Sequence, residues 1–358
     1  MASVSTELWQ FVVEWYDPMP QLKKKFILKY FVEKHLVEMI DLKNKKVFLK
    51  KSPCPPEISP NDLFIGSKVL IFSRELDIVD YADSYTKSVL CKQLQPSIVI
   101  LPSSCASYWG RFVDKISSVM QVKSIKTVYM SDMAADDVCS ILDISQRARR
   151  ELLDGSCLLI NAHGEDGVSR LESKCQELKA DLNLKDFQCL TPSNGTQVND
   201  LSVLFSRDAV SGTATLDSCT CCIVKPHAFR AGLAGKILDS IISQGYEISA
   251  AETLLFDRPC AEEFLEVYNG VVPNYADYVV ELVSGPCLAL EIRAEDAVNT
   301  FRVTCGPWDV NMAKELRPGT LRAVFGKDNI HNAVHCTDLA VDGVTECEYC
   351  FRLMEKKL

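Results

Sequence analysis

The sequence predicts an α+β protein: a small N-terminal β-rich domain followed by two ferredoxin-like, split βαβ modules. Three observations carry that reading. Residues 8–90 contain short runs that alternate apolar and polar residues between turn signals. From residue 97 onward, strand-like runs alternate with helical ones. The same stretch also repeats itself. Gly155-Ser-Cys157 returns as Gly285-Pro-Cys287, Glu165-Asp166 as Glu295-Asp296 and Cys175 as Cys305, all at an offset of 130. Domains are accordingly expected at 1–90, 91–217 and 218–358.

Composition narrows the function classes. A chain of 358 residues, 47% hydrophobic and 24% charged, is long enough for two or three globular cores. Net charge is −9, which argues against nucleic acid as a partner. Twenty of the 48 acidic residues lie in 218–358, so the N-terminal third is best suited to meet an anionic surface. No basic segment precedes an apolar core at the N-terminus, and no run reaches the ~18 apolar residues of a membrane helix. A cytoplasmic protein with reduced thiols, and no membrane partner, is therefore expected. Cys219, Cys221 and Cys222 with Cys347 and Cys350 raise the question of zinc. If 346–351 is a strand like 221–225, side chains alternate. Cys221 and Cys222 then face opposite ways, as do Cys347 and Cys350. No direct metal site is expected, and the thiols read as core residues.

In chain order, Phe11–Tyr16 is a strand-like run stopped by Asp17-Pro18. Lys25–Tyr30, Val37–Ile40 and Lys46–Lys50 alternate, with Asn44 in a turn, and Val69–Phe72 follows Gly66 as a further strand. Pro53–Pro56 and Pro60 mark an extended loop, and the first boundary falls within 85–96. Ile98–Pro102 returns as Cys222–Pro226 at an offset of 124, which sets Leu101 against Lys225. Strands are expected at 221–225, 287–292 and 346–351, and helices at 234–243 and 261–268.

The chemistry concentrates near the C-terminus. Arg317-Pro-Gly-Thr-Leu-Arg322 precedes Asn332-Ala-Val-His335-Cys-Thr-Asp338. An imidazole with an amide three residues before it, a hydroxyl and a carboxylate after it, and guanidinium groups upstream is the inventory for a histidine facing phosphate. Lys225 ends a strand before Pro226, a usual place for a phosphate handle.

These segments resemble the active-site signature of nucleoside diphosphate kinases, R-P-G-T-x-R followed by N-x-x-H-x-S-D. The resemblance covers 219–353. It implies that His335 is the phosphorylated nucleophile, Glu346 holds its second ring nitrogen, and Tyr268 steers it. It also implies that Lys225, Arg302 and Arg322 bind phosphates and that Asn332 meets the ribose side. Tyr275 is taken as the aromatic stacked on the base. ATP or another nucleoside triphosphate with magnesium is the implied cofactor set, the metal being carried on the phosphates. The sequence departs from the family pattern at Trp308, where a threonine is usual, at His227, where an aspartate is common, and in a shortened 268–284 segment. At an offset of 130, Glu172 stands in the first copy where Arg302 stands in the second, so 91–217 is expected to be catalytically dead.

Residues 9–90, through Trp15-Tyr-Asp-Pro18, Asn61–Gly66 and Asp80–Thr86, resemble the DM-ten domain of axonemal proteins. That resemblance implies a cilium or flagellum axoneme, with tubulin, the doublet microtubule and other axonemal proteins as partners. Lys43, Lys45, Lys46, Lys50 and Lys51 are the residues expected to face acidic tubulin. Three readings follow: a structural axonemal protein with a retained kinase site, a kinase supplying nucleotides, and a nucleotide sensor without turnover.

Overall fold

A computed structural model describes residues 7–17, 22–56, 58–183, 189–206 and 210–354. Pro18, the expected stop of the first strand, lies outside them. The chain forms two compact units, 1–93 and 94–358. The expected modules 91–217 and 218–358 share the second.

The first unit is a six-stranded antiparallel sheet. Its strands are β1 (Leu8–Asp17), β2 (Leu22–Phe31), β3 (Leu36–Asp41), β4 (Val47–Pro53), β5 (Lys68–Ile71) and β6 (Arg74–Tyr81), in the order β4-β3-β2-β1-β6-β5. Alternation sets the buried face: Trp9, Phe11 and Val13 on β1 and Phe26, Leu28 and Tyr30 on β2 point inward. Lys25 on the other face pairs with Glu14 at 2.9 Å. Between β3 and β4, the Asp41 carboxylate accepts the backbone N–H groups of Lys43 and Asn44 at 2.8 Å each, which closes the turn. All five lysines of the predicted cluster are exposed, on that turn and on the edge strand β4.

The second unit is built on one eight-stranded sheet. It holds β7 (Gln95–Leu101), β8 (Gln121–Met130), β9 (Cys157–Gly164), β10 (Val210–Gly212), β11 (Cys219–Val224), β12 (Glu247–Leu254), β13 (Cys287–Arg293) and β14 (Val334–Cys336). The path is β14-β11-β13-β12-β8-β9-β7, with β10 pairing β8. The run β14-β11-β13-β12 is the split βαβ arrangement in full. In β8-β9-β7 the outer strand has shrunk to one bridge, Ile100 with Leu190.

The two halves match in detail. β12 pairs with β13 through an irregularity at Ile248/Ala250, and β8 with β9 through one at Val122/Ser124. The helices Gly167–Asp181 and Ala297–Cys305 both start from a left-handed aspartate, Asp166 (φ 49°) and Asp296 (φ 47°). Leu101 faces Leu158 as Val224 faces Leu288, so the strand offset is 123. The structural counterpart of Lys225 is therefore Pro102, which corrects the expected Leu101. Both residues are extended and open a helical turn. Leu190 opposite Ile100 takes the ladder position that His335 holds opposite Ile223.

The seam between the halves is nearly two-fold symmetric. Thr253 Oγ1 bonds the backbone of Ile125, while Thr127 Oγ1 bonds that of Ala251. Helices Trp109–Ser117 and Ala234–Ser243 cross so closely that a Cβ on Gly110 would strike the backbone of Asp239. A Cβ on Gly235 would strike that of Asp114. Only glycine permits that approach.

One expected strand is absent. Residues 346–351 belong to the helix Gly343–Glu348 and the wider turn Tyr349–Leu353. Cys347, Cys350 and Phe351, at i, i+3 and i+4, all face the core.

Candidate active site

His335 lies on β14 and is 4% exposed. Its Nε2 is 2.9 Å from Glu346 Oε2, and Thr337 Oγ1 donates to the same oxygen at 2.9 Å. Thr337 in turn accepts the N–H of Cys221 at 3.1 Å. The carboxylate is thus held from a second side, and the ring is fixed with Nδ1 as its other face. Among the described residues Nδ1 has no hydrogen-bond partner. Tyr268 and Phe264 meet the imidazole edge-on, with centroids at 5.9 and 5.1 Å. Burial and the carboxylates of Glu346 and Asp338 push the Tyr268 hydroxyl far above its usual range.

The backbone before the histidine is strained. Ala333 has φ 70°, and Val334 N–H donates to Asn332 O at 2.9 Å, closing a tight three-residue turn. Lys225 N–H bonds the Ala333 carbonyl at 2.9 Å, which joins the end of β11 to this turn.

Two cations lie buried beside it. The Lys225 ammonium donates to Ile330 O at 2.9 Å. The Arg322 guanidinium donates to Val334 O, Gly306 O and Cys336 Sγ at 3.3, 2.9 and 3.5 Å. Neither has a carboxylate partner among the described residues. Burial, reinforced by the Arg322 charge, lowers the Lys225 pKa to about 7. Trp308 covers both cations, with its ring 5.6 Å from Lys225 Nζ and 5.3 Å from Arg322 Cζ. Its indole N–H donates to Tyr278 Oη at 2.7 Å. The Asn332 amide donates to Trp308 O at 3.4 Å, while its Oδ1 is buried without a partner.

The structure thus brings His335, Glu346, Tyr268, Lys225, Arg322, Asn332 and Trp308 together. Arg302 reaches the rim, where Nε pairs with Asp338 at 3.2 Å. Tyr275 does not line the cavity, since its hydroxyl is tied to the Glu262 carbonyl at 3.2 Å. The aromatic in the wall is Tyr278, one helical turn on, together with Phe264. Neither was singled out in the sequence. An i, i+3 spacing from Tyr275 was the readable signal for Tyr278. His227, already marked as a departure from the family pattern, forms a group with two residues the sequence did not single out: its Nδ1 is 2.6 Å from Glu281 Oε1, and its ring stands 5.0 Å from that of His331.

Ile223, Lys225, Phe264, Tyr278, Trp308 and His335 enclose a cavity of about 20 Å³, which is room for one water. The two cations without carboxylates fit the oxygens of a nucleotide polyphosphate, the open imidazole nitrogen fits its phosphorus, and the orphaned amide oxygen fits a hydroxyl of the sugar. The space they enclose does not fit one while Trp308 stands where it is.

The family model for nucleoside diphosphate kinase matches residues 218–356. Two relatives match almost the whole chain. Nucleoside diphosphate kinase homolog 7 of Rattus norvegicus is 35% identical over 98% of this chain and 94% of its own length. The homolog of the same name from Mus musculus is 33% identical over the same shares. The chain belongs to the nucleoside diphosphate kinase homolog 7 family. A nucleoside diphosphate kinase of Aquifex aeolicus (strain VF5) is 36% identical over 37% of this chain and 91% of its own. Membership thus rests on the whole length, while the single-module kinase corresponds to little more than a third of it. No helix among the described residues is long and apolar enough to cross a membrane.

Proposed function

We propose that residues 218–358 form a nucleoside diphosphate kinase module that works through phospho-His335, with its access limited by Trp308. The observation that carries this is the pair of buried cations without carboxylates, Lys225 and Arg322, beside an imidazole held at Nε2 by Glu346. Glu346 accepts the Nε2–H, which leaves the Nδ1 lone pair as nucleophile. Nδ1 attacks the terminal phosphorus of a nucleoside triphosphate. An N–P bond forms, the P–O bond to the rest of the nucleotide breaks, and a diphosphate leaves. The reverse step hands the phosphoryl group to a second diphosphate.

Glu346 then balances the positive imidazole, and Lys225, Arg322 and Arg302 spread the negative charge of the moving group. Magnesium on the phosphates supplies further charge neutralisation when bound. Tyr268 holds the ring plane, and Asn332 offers its unpartnered amide oxygen to a hydroxyl donor. Entry of a nucleotide requires Trp308 to leave its seat, which makes turnover slow. Incubation of the full chain with γ-labelled ATP is expected to leave acid-labile label on His335. Absence of such label at millimolar ATP overturns the kinase reading.

The other two regions support a structural role. Residues 91–217 serve as a non-catalytic module, a use for a fold that keeps its shape with Leu190, Pro102 and Glu172 at the active positions. The resemblance of residues 9–90 to axonemal DM-ten domains and the five exposed lysines support attachment to the doublet microtubule of a cilium or flagellum. Axonemes carrying His335→Gln are expected to hold the protein at wild-type occupancy. Reversal of the five lysines to glutamate lowers occupancy, and wild-type attachment itself weakens as salt rises, so the difference between the two narrows. Loss of folded His335→Gln from axonemes overturns the structural role.

A further inference from the structure

We infer that Cys219, Cys347 and Glu291, with Cys221 as fourth ligand, form a structural zinc(II) site at the base of the second module. The proposal is independent of the kinase reading. The argument against zinc drawn from the sequence needed Cys347 and Cys350 on a strand, and they are on a helix. One ligand atom from each of Cys219, Glu291 and Cys347 lies within 4.8 Å of the others, and all three residues are buried. That span closes readily to the edges of about 3.5–3.8 Å that Zn–S and Zn–O bonds of about 2.0–2.3 Å require in a tetrahedron. Cys221 stands opposite Glu291 in the ladder and its thiol contacts that of Cys347. Its Sγ now lies 3.9 Å from Cys350 Sγ and would turn from it to complete the set.

Glu291 is the telling residue. It is fully buried, and no cation pairs with it among the described residues. A buried carboxylate without a counter-charge is costly. Its oxygens accept Thr215 N–H at 2.8 Å, Leu216 N–H at 2.6 Å and the Ser249 hydroxyl at 2.6 Å. Such donors orient a metal-bound carboxylate and leave lone pairs for the ion. Three thiols with a carboxylate in a closed pocket match zinc better than magnesium or calcium.

The first module shows that the fold does not demand this set. The ladder positions of Cys219, Cys221 and Glu291 are filled there by Pro96, Ile98 and Asn161. Entry is short, because Thr215 and Ser218 over the cluster are exposed. Leu216 (φ 57°) and Ser218 (φ 49°) hold left-handed backbone that the bonds to Glu291 help to fix. Binding exchanges three thiol protons for one zinc ion, without redox change. The ion would tie the 213–218 connection, β11 and the C-terminal helix together. Glu346, the partner of His335, precedes Cys347 by one residue and would be steadied by it.

Metal analysis of the full chain, purified without chelator, is expected to find one zinc per chain. Chain stripped by chelator under reductant and titrated with cobalt(II) should develop a thiolate-to-cobalt charge-transfer band that saturates at one equivalent. Cys347→Ser and Glu291→Gln weaken cobalt binding at least tenfold. Ser249→Ala, which removes an outer donor, weakens it by about 10–100-fold. Cys222→Ser, on the opposite sheet face, leaves it unchanged. Absence of the charge-transfer band in the wild-type chain overturns the site, and that result needs no variant to fold. Wild-type affinity in folded Cys347→Ser overturns it equally.

Discussion

The two halves of the second unit share a backbone and differ in what the backbone carries. Their strand irregularities, left-handed helix caps and seam contacts correspond residue for residue. At the ladder position of His335 the first half has Leu190, at Lys225 it has Pro102, and at Arg302 it has Glu172. The differences fall on the residues that would handle phosphate, while the elements that pack the halves together are kept. Shape and chemistry have come apart along one sheet, and the first half is best understood as half of the second half's packing surface.

The largest effect tests that separation. His335→Gln is expected to lower phosphoryl transfer by roughly 10⁴-fold or more, since no other group replaces a lost nucleophile. Leu190→His puts an imidazole at the same ladder position of the first half, where Pro102 stands in the place of Lys225 and the sequence holds no arginine between Arg170 and Arg207. It should gain no acid-labile label in a His335→Gln background. Label there would mean that the first half lacks only its nucleophile. Next comes Glu346→Gln, which keeps the shape but exchanges an acceptor-only group for one that can also donate. Loss of the fixed tautomer should cost kcat about 10²–10⁴-fold with a smaller change in KM.

Much of this contrast was legible in the sequence. The period-2 runs of the first unit gave its strands because one face of each is buried, as Phe26, Leu28 and Tyr30 show on β2. The offset of 130 gave the repeat from the β9/β13 loops onward. It slipped at β7 and β11 because the intervening connections differ in length, and only strand pairing set Pro102 against Lys225. The C-terminal segment was misread because Glu346–Phe351 is short. Its Cys347, Cys350, Phe351 spacing carried the helical period that decides it. At the candidate site, residues in fixed motifs were legible. Tyr278, Phe264 and the seat of Trp308 were not, since they depend on how separate segments fold over the imidazole.

Trp308 gives a middle-sized effect, confined to the second half. Its indole fills the space over Lys225 and Arg322 and is bonded to Tyr278. Trp308→Thr opens that space and offers a hydroxyl to the phosphates. A charge-assisted donor is worth roughly 1.5–3 kcal/mol, so kcat/KM should rise by about 10–100-fold. An unchanged or lower value in a folded variant would mean that the indole supports the site instead of obstructing it.

A smaller effect is the pH dependence of Lys225. Its pKa is lowered to about 7, so its charged fraction falls as pH rises above 7. Affinity for a nucleoside diphosphate should fall by up to about tenfold per pH unit between 7 and 9. Binding near pH 7 should take up a proton, seen by calorimetry in buffers of different ionisation heat. Lys225→Met should lose both signatures. Stability moves the other way. The folded pKa lies below the ordinary lysine value of 10.5, so the stability cost of Lys225 is absent above about 10.5, grows as pH falls, and is complete below about 7. Lys225→Met should therefore raise Tm at pH 7. A Tm that falls instead would show that the packing of the lysine stem outweighs its buried charge.

The smallest effect probes the seam itself. Lys126 Nζ lies 2.8 Å from Glu252 Oε1, and the near two-fold axis makes these two residues each other's counterparts. An exchange of charge across such an axis almost reproduces the original geometry. Lys126→Glu alone sets two carboxylates together, and Glu252→Lys alone sets two ammonium groups together. Each should lower stability by about 0.5–1 kcal/mol, because the lysine is about a third exposed and the pair is screened. The double exchange should recover most of that loss, and 0.5 M salt should shrink the coupling. A double variant no better than the sum of the singles would mean that the charge pair contributes nothing. The halves would then rest on the threonine bonds to the facing backbones, the Gly110 and Gly235 crossings, the apolar core they share and the Arg111–Asp239 pair, contacts that are indifferent to which half keeps the chemistry.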